Sequence, residues 1–309
     1  MVLKRIWIIA IPVALDMYLW LGPRLSIEPL TRILLRLWLL PEQGPAEVQP
    51  LLQFNRDVLE TMGREVNLFS FLSNSLLGMP SYLAGGLPES VSSSSVTWGK
   101  SWNALITLAL IPVLVAVGLF LGCLYLGIMA QVTQHSTIDF KRLLQRVWRY
   151  WALIMLFGAL LLGVLLVLGL PVSIVAGLLQ LLSPTLANFF VLAAGGLFIW
   201  MLFHLFFVPH AIIVSELGLL RAVWNSLIIV GRNFWAVLVL IILINLISTG
   251  FAAIWDRISV NALLTTVSIA GNAFIGTGLA AATLIFYRDR LEQWNAWMEQ
   301  VRAASREKE

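Results

Sequence analysis

The chain has 309 residues, 60% hydrophobic and only 12% charged, with 20 Lys and Arg against 16 Asp and Glu for a formal net charge of +4. Its mean hydropathy is +0.90, whereas a soluble domain is about a quarter charged, so there is too little charge here to coat a globule of this length. Composition therefore excludes a soluble enzyme and a disordered chain, and with Cys123 as the only cysteine it excludes a disulfide scaffold.

The class that remains is all-α, a polytopic transmembrane helical bundle. No Asp, Glu, Lys or Arg lies between Lys100 and Asp139, Arg149 and Glu216, Arg232 and Asp256, or Arg257 and Arg288, which leaves gaps of 38, 66, 23 and 30 residues. About 20 apolar residues cross a bilayer core. Each gap then holds one helix and the longest holds two, broken near Ser183 and Pro184. With an N-terminal candidate the sequence predicts six spans, at 5–22, 102–127, 150–171, 186–208, 234–254 and 263–287. A β-barrel is excluded, because these runs are continuously apolar and far longer than the alternating segments of about 10 residues that a barrel needs.

In chain order, residues 1–22 form the first transmembrane helix. Lys4 and Arg5 before an apolar run also describe a signal peptide. The lack of a small-x-small site after the run, and Asp16 within it, favour an uncleaved helix. Asp16 is the costliest residue in the sequence, since a carboxylate inside a span must face protein or water. It reads either as a proton-coupling or cation site, or as a structural carboxylate near the outer end, protonated or paired with Arg24 or Lys100.

Residues 23–100 form an extracytoplasmic cap. The stretch 29–41 places Thr31, Arg32 and Arg36 near one face, with Ile33, Leu34, Leu37 and Trp38 on the rest. A second helix is expected over about 47–65, with Leu51, Leu52, Val58, Leu59 and Met62 at helical spacing. An apolar, charge-free patch follows from Val66 to Leu87, broken by Gly78, Pro80, Gly85 and Gly86, then the polar run 90–97. Such helices are expected to lie on the membrane or to form a lid over the span ends. A substrate-binding cap is the alternative.

Residues 101–287 form a five-span membrane domain, and 288–309 a cytoplasmic amphipathic tail. Gly118 and Gly122, Ala159 and Gly163, and Gly271, Ala273, Gly276, Gly278 and residues 280–282 present small-residue surfaces for close helix approach. Asn245, Ser248 and Thr249, with Thr265, Thr266, Ser268, Asn272 and Thr277, either line a polar path or bond helix to helix. The candidate intramembrane polar site is Asp16, Asn245, Thr249 and Asn272.

Orientation follows from the basic residues. With a cytoplasmic N-terminus that side holds 13 Lys and Arg and the other 7, six of them in the long 23–100 segment, which counts for little. Both termini are therefore expected in the cytoplasm. Trp7, Trp148, Trp151, Trp235 and Trp294 fall at one boundary, and Trp20, Trp98, Trp102 and Trp255 at the other, as aromatic belts do.

No motif for intramembrane chemistry is present: a second membrane-embedded aspartate, HExxH, GxSxG and a Walker loop are all missing. Of the three histidines, His135 falls in a loop. His204 and His210 are six apart, about 240° round a helix, with Pro209 between them and no acidic or thiol partner nearby. Neither a cofactor nor a metal is expected.

One organisation recurs. Residues 138–151 and 219–235 each carry an amphipathic stretch ending in Arg and aromatics before a pair of apolar spans, with a period of about 84 residues. Basic residues rest on anionic lipid and aromatics mark the headgroup level. Arg149, Trp151, Glu216, Arg232 and Trp235 are accordingly read as interfacial anchors.

Within 207–238, Pro209, Ile212, Glu216, Gly218, Ala222, Ser226, Arg232, Phe234 and Trp235 form a pattern that resembles bacterial membrane proteins related to the membrane domain of some glycerophosphodiester phosphodiesterases. The end of the last span, around Tyr287 and Arg288, also looks like that family. The resemblance covers roughly the C-terminal two-thirds as architecture. It implies no activity here, since the soluble hydrolase domain of the fused forms is missing and the 23–100 segment departs from the pattern.

The sequence thus predicts a bacterial, cell inner membrane protein with a non-enzymatic scaffold or envelope-related role. A permease or export component for a lipid or amphiphilic small molecule is the alternative. Expected partners are membrane lipids, a second copy or other membrane proteins, and no nucleic acid.

Overall fold

A computed structural model describes residues 7–38, 49–73, 77, 79–85, 96–100, 102–134 and 139–306. Lys4, Arg5, Gly78, Gly86, most of the polar run 90–97 and His135 lie outside the described residues. Among the described residues the fold is helical apart from turns, a two-residue parallel ladder, Arg24 to Thr97 and Leu25 to Trp98, and an isolated bridge between Ser26 and Asn67. Among the described residues, five helical stretches are long and apolar enough to cross a membrane, as a multi-pass membrane protein requires: Ala104–Gln134, Phe140–Leu182, Pro184–Val214, Phe234–Ile258 and Ala262–Arg306. The sixth expected span is the shorter apolar helix Trp7–Leu21.

The chain divides into two compact units. The first comprises Met1–Leu126 and Asn245–Ala280. It opens with α1 (Ala10–Leu21), then β1 (Arg24–Leu25), α2 (Glu28–Trp38) and α3 (Gln49–Glu65). Leu68–Leu72 and Leu83–Gly85 are 3-10 turns, β2 is Thr97–Trp98, and α4 (Ala104–Gln134) begins just after. The β1–β2 ladder closes the 23–100 segment on itself, so that it leaves and returns at one place. Asn67 secures the way in: its Oδ1 accepts from Leu25 N at 2.9 Å and from Phe69 N at 3.2 Å, capping the first 3-10 turn. Helices α2 and α3 pack side by side, with the Gly63 backbone against Thr31. Ile33, Leu37, Phe54 and Met62 stay exposed.

The second unit comprises Gly127–Ile244 and Ala281–Glu309. It holds α5 (Phe140–Leu182), α6 (Pro184–His204), α7 (Val208–Val214) and α8 (Leu219–Arg232), with most of the first half of α9 (Phe234–Ile258) and the last part of α10 (Ala262–Arg306). Asp139 caps α5 by accepting from Arg142 N at 3.0 Å. The break at Ser183 falls where the sequence places it, and Pro184 opens α6 at a position that needs no amide proton.

Two elements differ from expectation. Residues 140–151 are not a separate interfacial helix, because they are the start of α5, which runs without interruption for 43 residues. No glycine or proline occurs before Gly158, so nothing in the backbone stops the helix there. Its counterpart α8 is separate, ended at Asn233, whose Nδ2 donates to Ile229 O at 2.9 Å. The last span and the expected tail are likewise one helix, α10, of 45 residues.

Candidate functional site

In the first unit the described residues of the patch 66–87 lie among the helices. Where a Cβ at Gly118 would be, Phe71 O is 2.5 Å away and Leu72 Cα 2.9 Å; at Gly122 the Leu77 side chain is 2.6 Å away; at Gly276 a Cβ would meet the Pro80 ring. Gly118 and Gly276 each lie 14 residues into their helices, about 21 Å from the start at 1.5 Å per residue. The described residues between Leu68 and Leu83 are thus inserted among the helices, and Leu68, Leu77, Met79 and Leu83 are buried. The GxxxG step of α4 receives this chain segment, not another helix.

Asp16 fixes the segment. Its carboxylate is fully buried and accepts from Ser81 Oγ, from Tyr82 N at 2.8 Å and from Leu83 N at 3.3 Å. Ser81 Oγ in turn accepts from Ala84 N at 3.1 Å. The first amides of a helical turn have no partner within it, and here a carboxylate on α1 supplies one to the turn at Leu83–Gly85. Sequence reasoning offered Arg24 and Lys100 as partners for Asp16; the partners seen are Ser81, Tyr82 and Leu83.

Tyr82 carries the connection on. Its Oη donates to Asp256 Oδ1 at 2.8 Å and lies 3.1 Å from Ser259 Oγ. Ser259 Oγ is 2.8 Å from the Trp255 carbonyl and 2.9 Å from Ser268 Oγ. Burial, with Asp256 alongside, pushes the Tyr82 phenol up to about 12. One hydrogen-bonded line therefore joins α1, the inserted segment, the end of α9 and the start of α10.

Of the other expected polar residues, Ser268 belongs to it. Asn245 and Thr249 are exposed and Asn272 is half-buried. Of the other polar residues on α10, Thr277 accepts from Tyr125 Oη at 2.9 Å and Thr265 donates to the Asn261 carbonyl at 2.9 Å. These bonds serve helix packing and helix ends. Ser81, Tyr82, Asp256 and Ser259 escaped sequence reasoning. For Ser81 and Tyr82 the signal was the patch itself, apolar and charge-free yet broken by Gly and Pro, a composition that suits irregular backbone only when it is buried in protein.

The second unit holds the expected anchors. Glu216 stands at the turn between α7 and α8 with φ +54, the left-handed region that non-glycine residues seldom adopt. It pairs with Arg146 and, at 3.7 Å, with Arg142, and Arg149 Nη2 donates to its carbonyl at 3.4 Å. Arg232 lies 4.7 Å from the Trp294 ring centre and 4.4 Å from that of Trp297, a cation on a stacked indole pair. Trp151 meets Trp148 edge to face at 5.8 Å, and Trp235 meets Phe234 likewise at 5.4 Å. His204 Nδ1 bonds the Trp200 carbonyl at 2.9 Å. His210 is buried among Phe206, Phe207 and Tyr287. Among the described residues no three of His, Cys, Asp and Glu gather as a metal site would need.

Comparison with known protein families, curated proteins and solved structures returned no match for this chain.

Proposed function

We propose that the chain is a non-enzymatic scaffold of a bacterial inner membrane. In this reading α1 is a sixth span, both termini are cytoplasmic, and the described residues between Leu68 and Gly85 belong to a re-entrant segment entered from the outer side. The observation that carries the reading is the state of Asp16. The one carboxylate placed well within an apolar helix accepts three hydrogen bonds, from Ser81, Tyr82 and Leu83, with both of its oxygens engaged, so it holds a fold together instead of offering a site to a passing ion. The exposure of Asn245 and Thr249 supports the same reading, since a polar path would need them turned inward with Asp16. The bacterial setting rests on the sequence resemblance of 207–238 to bacterial membrane proteins related to the membrane domain of some glycerophosphodiester phosphodiesterases.

The test is reconstitution of the full chain into vesicles carrying a fluorescent phospholipid in both leaflets. A scaffold leaves the inner-leaflet label protected from a membrane-impermeant reductant, as in protein-free vesicles. Loss of the protected fraction would favour the permease reading and defeat this one.

A further inference from the structure

The second unit has a groove of about 360 Å³ between α8 and the distal part of α10, lined by Leu220, Arg221, Trp224, Asn225, Ile228 and Trp294. Its walls combine one guanidinium, one amide, two indoles and two aliphatic side chains, the chemistry of an amphiphile with an anionic head. Small-molecule pockets begin near about 300 Å³, so the space suits a headgroup and the start of a chain.

Charge decides what the head is. Most arginines near this end of the unit already have partners: Arg232 lies on Trp294 and Trp297, Arg142 and Arg146 pair with Glu216, and Arg149 bonds the Glu216 carbonyl. Arg221 has no hydrogen-bond or ion-pair partner among the described residues, and it sits at the groove. A guanidinium matches the oxygens of a phosphate with two parallel donors. Asn225, whose Nδ2 donates to Tyr287 Oη at 3.4 Å, adds an amide at hydrogen-bonding range of whatever the groove holds.

The apolar walls decide the rest. Leu220 is 84% exposed and Trp224 66% exposed, on the same helix face as Ile228, and α8 leads directly into the apolar helix α9. A free phosphate would leave these side chains uncovered, whereas an acyl chain would cover them. Indoles favour the level where headgroup meets hydrocarbon. We propose that this groove binds one anionic phospholipid, with its phosphate on Arg221, its glycerol region beside Asn225 and Trp294, and its acyl chain along Leu220, Trp224 and Ile228.

The experiment is native mass spectrometry of the full chain, delipidated in detergent and titrated with phosphatidylglycerol, with phosphatidylcholine of the same acyl chains, and with glycerol 3-phosphate as a headgroup lacking a chain. The expected result is one phosphatidylglycerol held several-fold more tightly than phosphatidylcholine. Arg221→Gln should weaken it about tenfold, as loss of a charge-assisted pair does, while Arg221→Lys retains most of the binding and the exposed Arg302→Gln has no effect. Trp224→Ala should weaken both lipids, giving a second variant independent of charge. Equal binding of the two lipids, or unchanged binding by Arg221→Gln, would overturn the site. Displacement of phosphatidylglycerol by an equal concentration of glycerol 3-phosphate would overturn the lipid assignment in favour of a free phosphate ester.

Discussion

Gly118, Gly122 and Gly276 in the first unit and Gly158, Gly163, Gly195 and Gly196 in the α5–α6 hairpin of the second stand in similar apolar helices, yet they do opposite things. At the first three a Cβ would strike Phe71, Leu77 or Pro80; at the other four nothing lies within 4 Å. Small residues in a membrane helix are thus not by themselves a contact. In the first unit they are cut to the shape of an inserted chain segment, whose backbone they admit and whose polar groups Asp16 and Asn67 satisfy. In the hairpin they leave an apolar surface with most large side chains exposed, as lipid-facing helices do.

The contrast is broken most severely at Gly276. Gly276→Leu should cost about 3 kcal/mol or more, because the Pro80 ring is rigid and overpacking has no room to relax; Gly163→Leu should be close to neutral. Thermal unfolding in detergent would compare them. Next comes Asp16→Ala, expected to cost about 2 kcal/mol by leaving the Tyr82 and Leu83 amides and the Ser81 hydroxyl without their acceptor. Asp16→Asn, which keeps one carbonyl oxygen, should cost less.

Tyr82→Phe removes bonds to Asp256 and Ser259 and should cost about 1 kcal/mol. It also carries a pH signature. A phenol pushed up to about 12 from an ordinary value near 10 stabilises the fold fully below about pH 10, and that contribution is lost as pH rises through 12. The wild-type chain should therefore lose part of its stability over that window, and Tyr82→Phe should lose less, as unfolding followed against pH would show. The smallest effect is Arg232→Gln in the second unit, at about 0.5–1 kcal/mol for an exposed cation on indoles. It should leave the first unit's Asp16 contacts untouched.

Much of the helical frame was legible in the charge gaps. Lipid tolerates few charges, so the stretches without them had to be the long apolar helices, and the break at Ser183 and Pro184 could be read because Pro184 cannot continue a helix from the preceding turn. The ends of α5 and α10 were not legible, since charged residues at 140–149 and 288–306 mark a change of surroundings without ending a helix. Asp16 stood out through its cost alone. Its partners did not, because Ser81 and the amides of Tyr82 and Leu83 are 65 to 67 residues away and ordinary in composition. The exposure of Asn245 and Thr249 was also beyond the sequence, since helical spacing says which residues share a face but not which way it turns.

Labelling of single cysteines tests most directly the insertion of the described residues between Leu68 and Gly85 among the helices. In a Cys123→Ala chain, cysteine would be placed at Leu77, which is 1% exposed, or at Phe54 of α3, which is 64% exposed, and treated with a membrane-impermeant maleimide in native membranes and after denaturation. The inserted arrangement predicts ready labelling at position 54 and none at position 77 until the protein is unfolded. Labelling at position 77 as fast as at position 54 in the native protein would contradict it.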